Sequence, residues 1–376
     1  MIVVKTKELK KILGKINAAI EKSVFNPKSG WAQLTVEDGS LVIKASSFDY
    51  YINATIDIEN AEEFNATVEA ETFIPLISKI ETEDVTFNTT DKALVVTTPT
   101  SEYNLPLQID VETDRVRDVD VIEVDEDKCT VASLTGAEVA SIASINAKGI
   151  TDGTSYKKVI QQFIYVDNFG AITFTENLYV NTFTSLTSDF KMLLTKTQAS
   201  MLGVFGEYEA VDIFVENEED ADKRYKVKFM ANNIEITFIV QTTTLVNQFP
   251  YTKVRTIASQ TNEAHAIIDK GLLNKALARL MVFDKKFGSN VMDYSKLEWG
   301  KDSLKLVSVK SKNYETIPYK SSLGTYEHES VIRFADLVEQ LKAVLTNEID
   351  IGYGETPAIA LNAGSLKQLI PEVVKR

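Results

Sequence analysis

The chain has 376 residues, of which 44% are hydrophobic and 25% charged, with a net charge of −14, one cysteine and two histidines. This composition is globular; it excludes an internal disulfide and a cysteine-built zinc site, and no stretch approaches the roughly 20 apolar residues of a membrane-spanning helix. Met1 opens directly into a strand (MIVVK) with no leader-like pattern, so a soluble cytoplasmic protein is expected.

Taken in chain order, the pattern predicts a helix over 5–22, in which Leu9, Ile12, Leu13, Ile16 and Ile20 form an apolar stripe and Lys7, Lys10, Lys11, Lys15 and Lys22 lie off it. Strands follow at 31–36, 41–45 and 51–58, the first two joined by a hairpin at Asp38-Gly39. A second helix is expected over 71–80 with Pro75 near its start, then strands at 85–88, 94–97 and 103–107. The acidic run 110–127 has little apolar patterning and is expected to connect domains. The order then repeats: helix 133–148, strands 163–166, 171–174 and 179–184, helix 194–206, and strands 211–215, 225–229 and 234–240. Phe249-Pro250-Tyr251 breaks the pattern. A third helix-first segment spans 269–287, where Leu272, Leu273, Ala276, Leu277, Leu280 and Met281 form a wide stripe beside Lys275 and Arg279. Strands at 291–299, 303–309 and 315–321, a helix over 333–345 and strands at 349–353 and 358–361 complete it. The tail is apolar enough at Leu369, Ile370 and Val373 to dock. The plan predicts an α+β fold of three similar domains, 1–125, 126–254 and 255–376, each with two helices and about eight antiparallel strands.

Catalytic chemistry is poorly supplied. His265 and His328 lie in no metal or nucleophile motif and are expected on the solvated surface, and phosphate-loop, dinucleotide and nucleophile-elbow motifs are missing from the sequence. The carboxylate pairs Glu62-Glu63 and Glu218-Glu219 sit in expected turns. A non-catalytic protein without cofactor or metal is the expectation. The net charge argues against nucleic acid, yet the six expected helices carry about +8 and the remainder about −22, a segregated field that leaves a cationic surface for phosphate.

Several strings in order, ELKKILGKI, VEDGSLVIKASS, VEAETFIPLISKI, NQFPYTKV, LLNKALARLMVFDKKF and RFADLVEQLKAVL, together resemble the bacterial-type DNA sliding clamp, the beta subunit of DNA polymerase III, across nearly the whole chain. Two strings depart from it: TENLYV at 175–180 and the charged end Val374-Lys375-Arg376, which leave room for a divergent or virus-encoded member. The resemblance implies a homodimeric ring of clamp-type domains whose helices line a hole. Duplex DNA passes through that hole, a clamp loader opens the ring, and the replicative DNA polymerase is tethered. It implies DNA-facing cations at Lys10, Lys11, Lys15, Lys22, Lys79, Lys148, Lys196, Lys275, Arg279 and Lys342. It also implies a partner-peptide groove at Val159, Thr175, Val180, Pro250, Lys253, Val254, Phe287, Leu369, Ile370 and Pro371, and a dimer interface at Tyr103, Leu105, Met281 and Val282. The alternatives are a β-rich viral structural or assembly protein without DNA binding, and, more remotely, an enzyme acting through paired carboxylates.

Overall fold

The computed structural model describes residues 1–21, 23, 25–58, 62–150, 159–175, 177–184, 188–286 and 294–373, with backbone alone at 284–286. The first plan runs β1 (Ile2–Lys5), α1 (Thr6–Ile16), β2 (Trp31–Glu37), β3 (Ser40–Ser46), β4 (Tyr50–Asp57), β5 (Asn65–Glu69), α2 (Ala70–Lys79), β6 (Asp84–Thr89), β7 (Ala93–Thr98) and β8 (Ser101–Pro106). The second runs β9 (Cys129–Leu134), α3 (Gly136–Ser141), a wide π turn over 142–146, α4 (Ala147–Gly149), β10 (Ile164–Asp167), β11 (Gly170–Phe174), β12 (Leu178–Thr182), β13 (Lys191–Leu194), α5 (Lys196–Met201), β14 (Val211–Glu216), β15 (Lys226–Ala231) and β16 (Ile234–Ile239). Two short helices, α6 (Thr243–Asn247) and α7 (Tyr251–Ala258), precede the third. It comprises β17 (Ala264–Asp269), α8 (Lys270–Lys286), β18 (Ser295–Trp299), β19 (Ser303–Ser308), β20 (Tyr314–Pro318), β21 (Ser321–Leu323), β22 (His328–Ile332), α9 (Phe334–Leu341), β23 (Glu348–Tyr353), β24 (Ala358–Ala363) and β25 (Leu366–Pro371).

The strand pairing makes the repeat explicit. One four-strand set recurs as β1-β6-β7-β8, β9-β14-β15-β16 and β17-β23-β24-β25; the other recurs as β5-β2-β3-β4, β13-β10-β11-β12 and β22-β18-β19-β20. Only β21, added to β17, has no counterpart among the described strands. Two joins turn pairs of sets into longer sheets: β4 pairs antiparallel with β16, and β12 with β25. The fold class expected from sequence, α+β with three similar parts, is the one observed.

Compactness divides the chain otherwise, into a unit built mainly of residues 1–139 and 204–243 and a unit of 140–186, 191–203 and 244–376. In the first unit, Leu9, Leu13 and Ile16 of α1 and Phe73 and Ile77 of α2 are buried, which follows from the three- and four-residue spacing of the apolar positions. Asp38 and Gly39 carry φ of 47° and 82°, the mirror-image turn that a two-residue hairpin requires. In the second unit, α8 and α9 lay Leu273, Leu277, Leu280, Leu337 and Leu341 against Ile351, Leu361 and Ile370 of the sheet.

Several expectations need correction. The first helix stops at Ile16, followed by a tight turn over Asn17–Ala19. Pro75 is the sixth residue of α2, inside it and exposed, where it deletes one backbone hydrogen bond. Phe249-Pro250 is a helix start: the Pro250 carbonyl accepts the Val254 N–H at 3.0 Å, so the expected limit at 254/255 falls within α7. The acidic run is no free connection. Lys28 pairs with Asp120 at 2.6 Å, buried Lys228 pairs with Glu126, the Lys226 ammonium donates to the Glu123 carbonyl at 2.9 Å, and Val119 is buried. Neither histidine is fully solvated: His265 Nδ1 lies 3.1 Å from both Asp350 oxygens, and His328 in β22 lies against Tyr326 and Tyr353 with its Nε2 buried.

Candidate DNA-facing and partner-binding surfaces

α1 packs on α2, and α8 on α9. Of the expected DNA-facing cations, Lys11, Lys79, Lys148, Lys275, Arg279 and Lys342 are exposed on or beside these helices and α4, while Lys10 and Lys196 are half-buried. Lys22 lies outside the described residues. Several of the set are engaged by other groups of the chain. The Lys15 side chain is only 11% exposed; its ammonium pairs with Glu207, lies 3.0 Å from the Tyr208 hydroxyl and stands 4.5 Å from that ring's centre. Lys11 shares the same carboxylate at 3.1 Å. The Lys15 hydrogen bond, with Lys11 and despite partial burial, holds the Glu207 carboxyl below its usual range. The Tyr208 hydroxyl donates to Asn233 Oδ1 at 2.7 Å, and Asn233 Nδ2 donates to the Thr55 carbonyl at 3.0 Å. Arg279 is held by Glu315 of β20 through two parallel bonds, Nε–Oε1 at 2.7 Å and Nη2–Oε2 at 2.9 Å. Lys342 pairs with Glu339 at 2.6 Å, and Lys148 Nζ donates to the Lys342 carbonyl at 3.4 Å.

The expected groove residues fall in the second unit. Val180, Val254 and Leu369 share one apolar cluster with Phe163, Phe249 and Ala360. Around it Val159, Lys253 and Pro371 are exposed, and Thr175 and Pro250 half-buried. Ile370 does not belong with them. Successive residues of a strand face opposite ways, so Leu369 joins this cluster while Ile370 is fully buried in the α8–α9 core. Phe287 lies outside the described residues. Beside the cluster, Tyr165 stacks on Phe249 with ring centres 4.5 Å apart, and Arg255 of α7 approaches Asp167 to 3.8 Å and lies over Tyr251. Burial dominates at Asp167 and raises its carboxyl above the usual range, against two backbone N–H donors and Arg255.

Among the expected interface residues, Tyr103 of β8 is exposed, whereas Leu105, two residues on, is buried. On α8, Met281 is half-buried and Val282 exposed, with exposed Leu272 and Phe283 on the same helix and exposed Tyr314 on β20. Among the described strands, β8 pairs only with β7, and β20 only with β19. Sequence reasoning missed Glu207, Glu315 and Asp167, whose partners are distant in the chain.

Residues 1–113 match the family model for the DNA polymerase III beta subunit, N-terminal domain. The whole chain superposes on solved bacterial structures. The DNA polymerase III subunit beta from Borrelia burgdorferi is 14% identical, with a TM-score of 0.77 over 100% of this chain and 99% of that one. The beta subunit from DNA polymerase of Streptococcus pyogenes is 16% identical, with a TM-score of 0.75 over 99% of each. The chain has the sliding-clamp fold. The Helicobacter pylori beta clamp, solved bound to a DNA ligase peptide, is 15% identical, with a TM-score of 0.71 over 99% of each chain. No curated protein matches in sequence. Among the described residues, no helix of this clamp fold is long and apolar enough to cross a membrane, and no cluster of three or more metal-ligating side chains occurs.

Proposed function

We propose that this protein is a DNA polymerase processivity factor: a non-catalytic, cytoplasmic ring of two copies that encircles duplex DNA, slides without sequence specificity and tethers the replicative polymerase. The observation that carries this reading is the unfinished pairing of the repeat. Strands in the position of β4 pair with strands in the position of β8 twice inside the chain, as β4–β16 and β12–β25, and among the described strands β8 and β20, the complementary pair, each keep one edge unpaired. A second copy placed head to tail supplies both missing partners, and such a contact ends in a closed assembly when two copies complete the circle. Tyr103 on one side and Val282 on the other are the exposed side chains that this contact would cover.

A closed ring holds DNA by topology, so its inner wall needs only weak phosphate contacts that carry no sequence information. Lys10, Lys11, Lys79, Lys148, Lys196, Lys275 and Lys342 serve that purpose. Lys15, largely buried against Glu207, and Arg279, held by two bonds to Glu315, serve it less than Lys11 and Lys342, whose single ion pairs are exposed. The acidic remainder repels duplex that is not threaded. A clamp loader would open one join, and partner peptides with apolar anchors would seat on Val180, Val254 and Leu369, with Val159, Thr175, Pro250, Lys253 and Pro371 around them. The test is retention on nicked circular DNA after loading. The protein should stay on the circle at salt that strips it from open-ended linear DNA, and should leave when the circle is cut. Equal retention on both forms would overturn the reading.

A further inference from the structure

The repeat also assigns a second fastening to the contact between copies. At the β4–β16 join, Lys15 and Lys11, the tenth and sixth residues of α1, close on Glu207, the twelfth position counted from the start of α5. The same counts on α8 and α2 give Arg279 and Lys275, tenth and sixth from Lys270, and Glu81, twelfth from Ala70. α1 and α8 start in the same register: Thr6 N–H bonds the Glu83 carbonyl beside the Lys5–Asp84 pair, and Lys270 N–H bonds the Asn347 carbonyl beside the Asp269–Glu348 pair. The hairpin residue Asn233, one before β16, corresponds to Thr100, one before β8.

Two hollows match this correspondence. One of about 600 Å³ is complete within the chain: one wall carries Glu207, Tyr208 and Asn233 and the other Lys11, Lys15 and Thr55. The other, of about 370 Å³, has only the first kind of wall, with Glu81, Thr82 and Thr100 in the matching places beside Tyr103, and with Lys79 also on its lining. The second wall's counterparts stand exposed on α8. Lys275 is exposed with no ion pair to another described residue, and Arg279 spends Nε and Nη2 on Glu315, leaving the Nη1 N–H groups to donate. Glu81 is likewise exposed.

We infer that Lys275 and the free edge of Arg279 take Glu81 of the partner subunit, as Lys11 and Lys15 take Glu207. The occupant of the smaller hollow is thus α8 of a second copy, selected by charge complementarity and by the open β8 and β20 edges. The inference rests on the two-copy ring proposed above, and it adds that ring closure depends on ionic strength.

The test is the dimer dissociation constant by sedimentation at low and high NaCl. Glu81→Lys, and separately Lys275→Glu with Arg279→Glu, should each weaken the dimer about tenfold or more, and combining all three should bring it back to within about threefold. Glu207→Gln, altering the fastening inside the chain, should leave the constant unchanged. A dimer of wild-type strength in Glu81→Lys, or a triple variant no better than its parents, would overturn the fastening while leaving the strand-joined dimer standing. A wild-type chain that remains monomeric would instead remove the ring on which it rests. Thermal melts of each variant verify folding: Glu81→Lys should leave the midpoint unchanged, and the α8 double variant should lower it only slightly, because Arg279→Glu replaces an exposed ion pair by two neighbouring carboxylates at Glu315.

Discussion

The β4–β16 join and the β12–β25 join use the same strand positions of the repeat and are fastened by different chemistry. At the first, Ile52 faces Ile236 and Tyr50 faces Phe238, all buried, and the helix side is closed by ions, Lys15 and Lys11 on Glu207. At the second, Tyr179 faces Gln368 and Asn181 faces Leu366, and the helix side is closed by neutral hydrogen bonds. Gln368 Nε2 donates to the Gln340 carbonyl at 2.9 Å, Asn181 Nδ2 to Ser141 Oγ at 2.6 Å, and Ser365 Oγ to Asn181 Oδ1 at 3.0 Å. The strand ladder is thus the constant part of a join. The fastening beneath it varies, ionic where one exposed carboxylate meets an exposed and a largely buried lysine, amide-based where the amides are fully buried.

The comparison can be broken first at its apolar layer. Phe238→Ala should cost about 3–5 kcal/mol and Leu369→Ala about 2–4 kcal/mol, read as denaturant midpoints. Equal and small losses would mean that neither ladder is packed as described. Next, Asn181→Ala should cost about 1–3 kcal/mol by removing a buried amide and its bonds to Ser141 and Ser365, and that loss should not change between low and high NaCl. Glu207→Gln should cost roughly 1 kcal/mol, less as salt rises. Its pH dependence has a definite sign. Because the folded carboxyl is held below its unfolded value, the stabilisation is fully present above the unfolded value of about 4.3 and is lost as pH falls through the folded one. Wild type and variant should therefore converge in acid. The smallest effect is expected at Asp167, whose folded pKa is raised by burial: its charged form opposes folding, so stability declines as pH rises from below about 3.9 through the folded value. Asp167→Asn should flatten that decline, and a steeper one would show that Arg255 outweighs burial.

Much of the fold was legible because α1, α8 and the longer strands carry wide apolar stripes or strict alternation. What escaped is systematic. β5, β13 and β22 occupy the same place in the three sets, ending a sheet just before a helix. Each has only four or five residues, too short for a period of two to stand out. β9, six residues long, also escaped: the helix expected over 133–148 took its last two residues and the rest ran on from the acidic segment. Of the candidate surfaces, the cations were legible as residues off a stripe, but their partners were not: Glu207 lies 192 residues from Lys15, and Glu315 lies 36 from Arg279. Ile370 could have been excluded from sequence, because three consecutive residues of a strand cannot share one face.

The central claim is that β8 and β20 of two copies complete the pattern into a ring. Sedimentation combined with small-angle scattering tests it most directly. The account predicts a particle of twice 41.9 kDa whose scattering requires a hollow centre, and that becomes monomeric when Tyr103 and Val282 are both replaced by Asp. A compact monomer at micromolar concentration, or a dimer with a filled centre, would contradict it.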